Sequence, residues 1–141
     1  MDYNLFIDSD ILLDILLVRQ PHFEDSVSLF SLQIENEVQL FTTPSIMLNT
    51  YYIAHKQFNK EKATRGVAEI LKVVEIIETS KNELVNCFNN NYTDLEDAVQ
   101  YFTALKNTSL HFYVTRNIRH FDFRKAELPV LTPASFLKLL K

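Results

Sequence analysis

Apolar and polar positions along this chain switch repeatedly between a period of two and a period near three and a half. Tyr3 to Ile7 is a short β-prone run, and Ile11 to Val18, apolar except for Asp14, comes after it as a predicted helix. Pro21 opens a second helix with Phe23, Val27, Phe30 and Ile34 at steps of three and four, ending near Asn36. Val38 to Thr42 is a second strand. Pro44 then starts a long helix with Leu48, Tyr51, Tyr52, His55 and Phe58 along one side, a stripe suited to the core or to a dimer face. Asn59 to Lys72 supplies another helix, and Val73 to Ile77 a third strand.

Two capping boxes come next. Ser80-Lys81-Asn82-Glu83 opens a helix to about Asn89, and Thr93-Asp94-Leu95-Glu96 opens one to about Lys106, with Leu95, Ala98, Val99, Phe102 and Leu105 as its buried stripe. Phe112 to Thr115 is a fourth strand and Val130-Leu131 a short fifth, after which Thr132 caps a last helix with Pro133 in its first turn. Strands alternating with helices predict an α/β sandwich with a mostly parallel central sheet of four or five strands. No repeat, low-complexity stretch or linker divides the chain, so residues 1–141 are expected to form one domain.

Composition narrows the chemistry. The 141 residues include one glycine, Gly66, where about ten would be average, so phosphate-binding loops and nucleophile elbows built on glycine spacing are excluded. Cys87 is the only cysteine, which excludes an intrachain disulfide and a cysteine-rich zinc site. The longest apolar run is far too short to span a bilayer, and Met1-Asp2-Tyr3-Asn4 lacks the basic region of a signal peptide, so the expected location is the cytoplasm.

The net charge of −4 is unevenly spread. Residues 1–50 carry Asp2, Asp8, Asp10, Asp14, Glu24, Asp25, Glu35 and Glu37 against Arg19 alone, whereas the remainder is rich in Lys and Arg. Ligands of parallel sheets bind beyond the carboxyl ends of the strands, which directs attention to the residues just past each strand. After the first strand comes Asp8-Ser9-Asp10; Asp10 is placed to cap the helix from Ile11, leaving Asp8 at the strand end as the functional candidate. Asp94 and Asp97 lie three apart at the margin of an apolar stripe, with Glu96 assigned to the box with Thr93. After the fourth strand, Thr115-Arg116-Asn117-Ile118-Arg119-His120-Phe121-Asp122 offers a hydroxyl, an amide and two guanidinium groups. Oxygen ligands of this kind suit Mg2+ or Mn2+, and an ion between carboxylates activates water and stabilises a phosphoryl transition state.

Four segments together are similar to one family. Phe6-Ile7-Asp8-Ser9-Asp10-Ile11-Leu12-Leu13-Asp14 resembles the opening of PIN domains, and Leu95-Glu96-Asp97-Ala98-Val99-Gln100-Tyr101 their central acidic helix. Val114-Thr115-Arg116-Asn117-Ile118-Arg119-His120-Phe121 is similar to the segment before their final strand, and Thr132-Pro133-Ala134-Ser135-Phe136-Leu137 to their ending. The resemblance covers essentially the whole chain and implies a three-layer α/β/α sandwich. It implies a metal-dependent ribonuclease, commonly a VapC-like toxin restrained by an antitoxin, with Asp8 and Asp97 as ligands of Mg2+ or Mn2+ or of the water bound to it. Thr115 is then a supporting hydroxyl. Two acids of the family pattern fall on Asn49 and Asn117, which offer a carbonyl oxygen but no charge, while Asp10 and Asp94 can supply charge nearby. The expected partners are RNA, an antitoxin and a second copy of the chain. Arg116, Arg119, Asn49 and His120 are the candidate contacts to RNA. The alternative function is a PIN domain weakened by Asn49 and Asn117 that binds RNA or protein without turnover.

Overall fold

In the computed structural model, which describes residues 2–141, five strands form one all-parallel sheet in the order β3-β2-β1-β4-β5. The strands are β1 (Tyr3–Ile7), β2 (Val38–Thr42), β3 (Val74–Ile76), β4 (Phe112–Val114) and β5 (Val130–Leu131). The central β1 pairs Leu5 with Leu40 on one side and with Phe112 on the other. Its last three residues, Leu5, Phe6 and Ile7, are fully buried, as expected of a strand covered on both faces. Phe6 stacks on Tyr113 of β4 at 4.7 Å between ring centroids. Among the described residues seven α-helices flank the sheet in a three-layer α/β/α sandwich: α1 (Ser9–Leu16), α2 (Phe23–Ile34), α3 (Pro44–Gln57), α4 (Lys60–Leu71), α5 (Lys81–Asn89), α6 (Leu95–Leu105) and α7 (Pro133–Leu139).

The chain runs outward from β1 through β2 to β3, then crosses to the other side of β1 for β4 and β5. The strand order therefore reverses between β1 and β4, the place where open parallel sheets bind their ligands. Asp8 and Thr115 are the first residues past the carboxyl ends of those two strands.

Several boundaries differ from the sequence pattern. Helix α1 starts at Ser9 because Asp8, not Asp10, is its cap: the Asp8 carboxylate accepts the Ser9 N–H at 2.7 Å. It stops at Leu16, and Val18 turns into the left-handed region with φ 52°. In α2, Ser26 and Leu29 are the buried residues and Ile34 is exposed. The predicted stripe of α3 lies on the outside: Ile46, Met47, Thr50 and Ala54 are buried, whereas Leu48, Tyr52, His55 and Phe58 are exposed. The aromatic side was the more hydrophobic in appearance, but the smaller residues are the ones that fit against α1 and α4. Helix α6 begins one residue later than expected, with Asp94 at its cap and no bond between Thr93 and Glu96. By contrast, Ser80 N–H donates to Glu83 at 2.8 Å, and Thr132 accepts the Ser135 N–H at 3.1 Å, as the capping patterns require. Gly66 permits the approach of α4 to α1, since a Cβ there would meet Leu16 Cδ2 at 2.7 Å.

Candidate metal centre

Asp8 performs three jobs in one residue. Its N–H continues the sheet ladder by donating to Val114 C=O at 3.1 Å, one carboxylate oxygen caps α1, and its side chain is held in a buried position at the switch point. Burial first, then the carboxylates of Asp10 and Asp97, push Asp8 up to about 8, while the Ser9 N–H and the Thr115 hydroxyl pull in the opposite direction. Among the described residues no Lys, Arg or His pairs with it.

In the first turn of α1, Asp10 Oδ2 accepts the Thr115 hydroxyl at 3.2 Å and the Arg116 N–H at 2.9 Å. Its Oδ1 is buried and has no hydrogen-bond partner. Burial raises Asp10 despite those donors and the Arg116 charge. Thr115 is fully buried and also accepts the Asn117 N–H, so one hydroxyl ties the loop after β4 to α1.

Asp97, in the first turn of α6, lies 3.1 Å from His120 Nδ1 through its Oδ2, and burial raises it against the imidazole's opposing pull. Asp94 joins them: one ligand atom each from Asp94, Asp97 and His120 lie within 4.8 Å of one another. His120 is presented by a 3-10 turn, Ile118–His120, in which its N–H donates to Asn117 C=O at 2.9 Å. The hydroxyl of fully buried Tyr113 has no hydrogen-bond partner of good geometry. Burial, followed by the charges of Asp8, Asp97 and Asp10, drives Tyr113 well above its ordinary value.

The remaining candidates are placed differently. Arg116 directs its guanidinium to Asp14, with Nε–Oδ2 at 2.6 Å and Nη2–Oδ1 at 3.0 Å, rather than toward open solvent. Arg119 is exposed and forms no ion pair among the described residues. Asn49 is half-buried in α3 and Asn117 is exposed; neither side chain hydrogen-bonds to a carboxylate of the cluster.

Two features escaped the sequence reading. Asp14 is fully buried and is also held by Arg19 Nε at 2.8 Å; the signal was a lone charge inside an apolar helical run, which demands a partner. Gln100, one turn beyond Asp97, accepts the Thr43 hydroxyl and donates to Ser45 Oγ at 2.6 Å, clamping α6 to the start of α3. Nothing in the local sequence announces that pair, because it joins positions 57 residues apart.

A buried carboxylate facing like charges and no cation, beside an orphaned carboxylate oxygen, is a donor set that fits a divalent ion.

Known proteins share this fold. A PIN-domain family model matches residues 4–119, and the chain belongs to the PIN domain family. It is 29% identical over 108 residues to Ribonuclease VapC1 of Aquifex aeolicus (strain VF5), covering 73% of this chain and 74% of that protein. Among solved structures it is similar to VapBC2 of Rickettsia felis bound to a promoter DNA fragment, with TM-score 0.66 and 17% identity over 92% of this chain and 98% of that one. It is also similar to the sarcin-ricin loop cleaving toxin VapC20 of Mycobacterium tuberculosis, with TM-score 0.61 and 10% identity over 77% and 86% of the two chains. A toxin-antitoxin complex from Klebsiella pneumoniae matches at TM-score 0.61 and 19% identity, covering 92% and 97%.

Proposed function

We propose that this chain is a divalent-metal-dependent endoribonuclease of the VapC type, the toxin of a toxin-antitoxin pair. The observation that carries the proposal is the buried Asp8 carboxylate at the β1/β4 switch point, facing Asp10 and Asp97 without a cation of its own. Asp8 and Asp97 would hold Mg2+ or Mn2+, with Asp94 and Asp10 contributing charge beside them. When bound, such an ion lowers the pKa of water and offsets the charge that grows on a phosphodiester under attack. Thr115 fixes Asp10 through its hydroxyl, and Asn117 sets the turn that carries His120. Exposed Arg119 is suited to an RNA phosphate; Arg116 supports the site from behind through Asp14. Asn49 is a candidate neutral contact at the edge.

The antitoxin reading is supported by the similar structures from Rickettsia felis and Klebsiella pneumoniae and by the apolar side chains of Leu84, Val85 and Phe88 exposed on α5. Exposed Leu48, Tyr52 and Phe58 support a second copy of the chain as a further partner. Among the described residues no helix is long and apolar enough to cross a membrane.

The test is cleavage of RNA by the isolated chain in Mg2+ or Mn2+, with chelator and Asp8→Asn as controls. Cleavage that chelator abolishes and Asp8→Asn reduces at least a hundredfold is expected. Equal rates for wild type and Asp8→Asn would remove the proposal. The neutral Asn49 and Asn117 favour a second reading, a domain that binds RNA without turnover, and that outcome would appear as RNA binding with no products.

A further inference from the structure

The oxygen-only donor set read from the sequence leaves one group out of account: the imidazole of His120. We infer that His120 is a nitrogen ligand to the divalent ion, completing with Asp97 and Asp94 a mixed nitrogen-oxygen site that selects Mn2+ or Zn2+ over Mg2+. The inference rests on the carboxylate cluster binding a metal, as proposed above.

Three observations support it. The first is geometric. Two ligand atoms each about 2.1 Å from one ion and at right angles are about 3.0 Å apart; His120 Nδ1 and Asp97 Oδ2 are 3.1 Å apart. Asp94 brings a third donor within 4.8 Å of both. The second is that the three donors come from two separately braced elements. Asp94 and Asp97 begin α6, which Gln100 clamps to α3, while His120 ends a short turn fixed by Asn117 C=O and the buried Thr115. The third is independent of that cluster. Asp10 Oδ1 is buried without a hydrogen-bond partner, while Oδ2 of the same carboxylate is held by Thr115 and Arg116, so the acids of the site keep unfilled hydrogen-bonding capacity.

The chemistry then sets selectivity. Mg2+ prefers oxygen donors and retains its water, whereas imidazole favours the later first-row divalent ions. One imidazole in place of a carboxylate also lowers the ligand charge, in keeping with neutral residues at positions 49 and 117. If His120 served only as an ion-pair partner of Asp97, it would hold that carboxylate against a cation and weaken metal binding of every kind.

The experiment uses the full chain freed of metal. Binding of Mg2+, Mn2+ and Zn2+ is measured by calorimetry for wild type, His120→Ala and Asp97→Asn, and electron-spin-echo spectra of the Mn2+ form are recorded for nitrogen coupling. Expected are tighter Mn2+ and Zn2+ than Mg2+ binding, a nitrogen coupling in wild type that vanishes in His120→Ala, and at least tenfold weaker Zn2+ binding in His120→Ala with Mg2+ changed less than about threefold. His120→Asn checks that any loss comes from the missing imidazole and not from the gap left by Ala. Mn2+ binding without nitrogen coupling, or equal effects on Mg2+ and Zn2+, overturns the inference while leaving the nuclease proposal intact. Failure of wild type to bind any of the three ions overturns both.

Discussion

Arg116 grips Asp14 with two hydrogen bonds, at 2.6 and 3.0 Å, across the gap between the loop after β4 and the second turn of α1. Asp14 is fully buried, and Arg19 Nε donates to the same Oδ1 that Arg116 Nη2 reaches. The Arg116 backbone N–H meanwhile holds Asp10. A single residue thus sets the position of two acids in α1, and its guanidinium serves the fold ahead of any phosphate.

Arg116→Ala is expected to destabilise the chain by about 3–5 kcal/mol, because it leaves a buried carboxylate half-compensated. In a domain of this size that lowers Tm by about 10 °C or more. Arg116→Lys keeps the charge but loses the planar two-bond geometry and falls between. Arg19→Ala, at a more exposed guanidinium, costs about 1 kcal/mol. Thermal melts of the three variants check the order, and an Arg116→Ala protein melting within 2 °C of wild type, roughly the shift expected from under 1 kcal/mol, would contradict it.

Burial of Asp8 makes stability depend on pH. Its value rises from the ordinary 3.8 to about 8 on folding, so between those limits the folded chain binds this proton more tightly than the unfolded chain. Stability from this group is therefore full below about pH 4 and lost as pH rises toward 8. Asp8→Asn removes the charge and retains the cap on Ser9. In chelator, the variant is expected to melt at least about 5 °C above wild type at pH 8, with the gap closing toward pH 4. Saturating Mn2+ should reverse the order, since only the carboxylate gains from the ion. Melts at pH 4, 6 and 8 with and without Mn2+ decide it.

What the sequence made legible divides along a physical line. Strands and capping boxes depend on near neighbours, so β2, β5 and the starts of α3, α5 and α7 were readable from residues such as Pro44, Ser80 and Thr132. The place of Asp8 in the fold was readable because it directly follows a strand of a parallel sheet, and that of Asp97 because it borders an apolar stripe at the start of a helix. Which side of α3 is buried was not, since an aromatic stripe at helical spacing looks the same facing a core or facing out. The bonds of Arg116, Asp14, Gln100 and Thr43 join distant segments and leave no local mark. Helix ends were hard to see for a reason specific to this chain. With a single glycine, its left-handed residues are Val18, Asn36 and Asn91 among the described residues, so the usual stop signal at the end of α1 is missing.

Val18 bears the cost of that shortage. A β-branched residue at φ 52° is strained by about 1–2 kcal/mol, and its side chain is exposed and contributes little packing. The turn it makes returns Arg19 to Asp14, with Arg19 N–H donating to Asp14 C=O at 3.0 Å. Val18→Gly is expected to stabilise the chain by about 0.5–1 kcal/mol, the relief of strain exceeding the added flexibility of the unfolded chain. Val18→Asn should give a smaller gain. Urea unfolding measures both; a loss of stability in Val18→Gly would mean that the Val18 side chain packs more than its exposure indicates.

Gln100 connects the stability of α6 to the placement of Asp97. It is buried, one turn along the same helix from Asp97, and its amide is satisfied at both ends by Thr43 and Ser45. Gln100→Leu fills a similar volume but strands the Thr43 hydroxyl's partner position and frees α6 from α3, at a cost of about 1–3 kcal/mol. On the nuclease reading, the shift of Asp97 appears mainly as a fall in kcat of about tenfold with KM for RNA little changed, because no RNA contact is removed. Thr43→Ser keeps both the helix cap and the bond and should behave as wild type, whereas Thr43→Val loses both. The double-mutant cycle of Thr43→Val with Gln100→Leu should show a coupling of about 1–2 kcal/mol in stability. Strictly additive losses would mean that the two residues stabilise the fold independently and that Asp97 is positioned by its own helix alone.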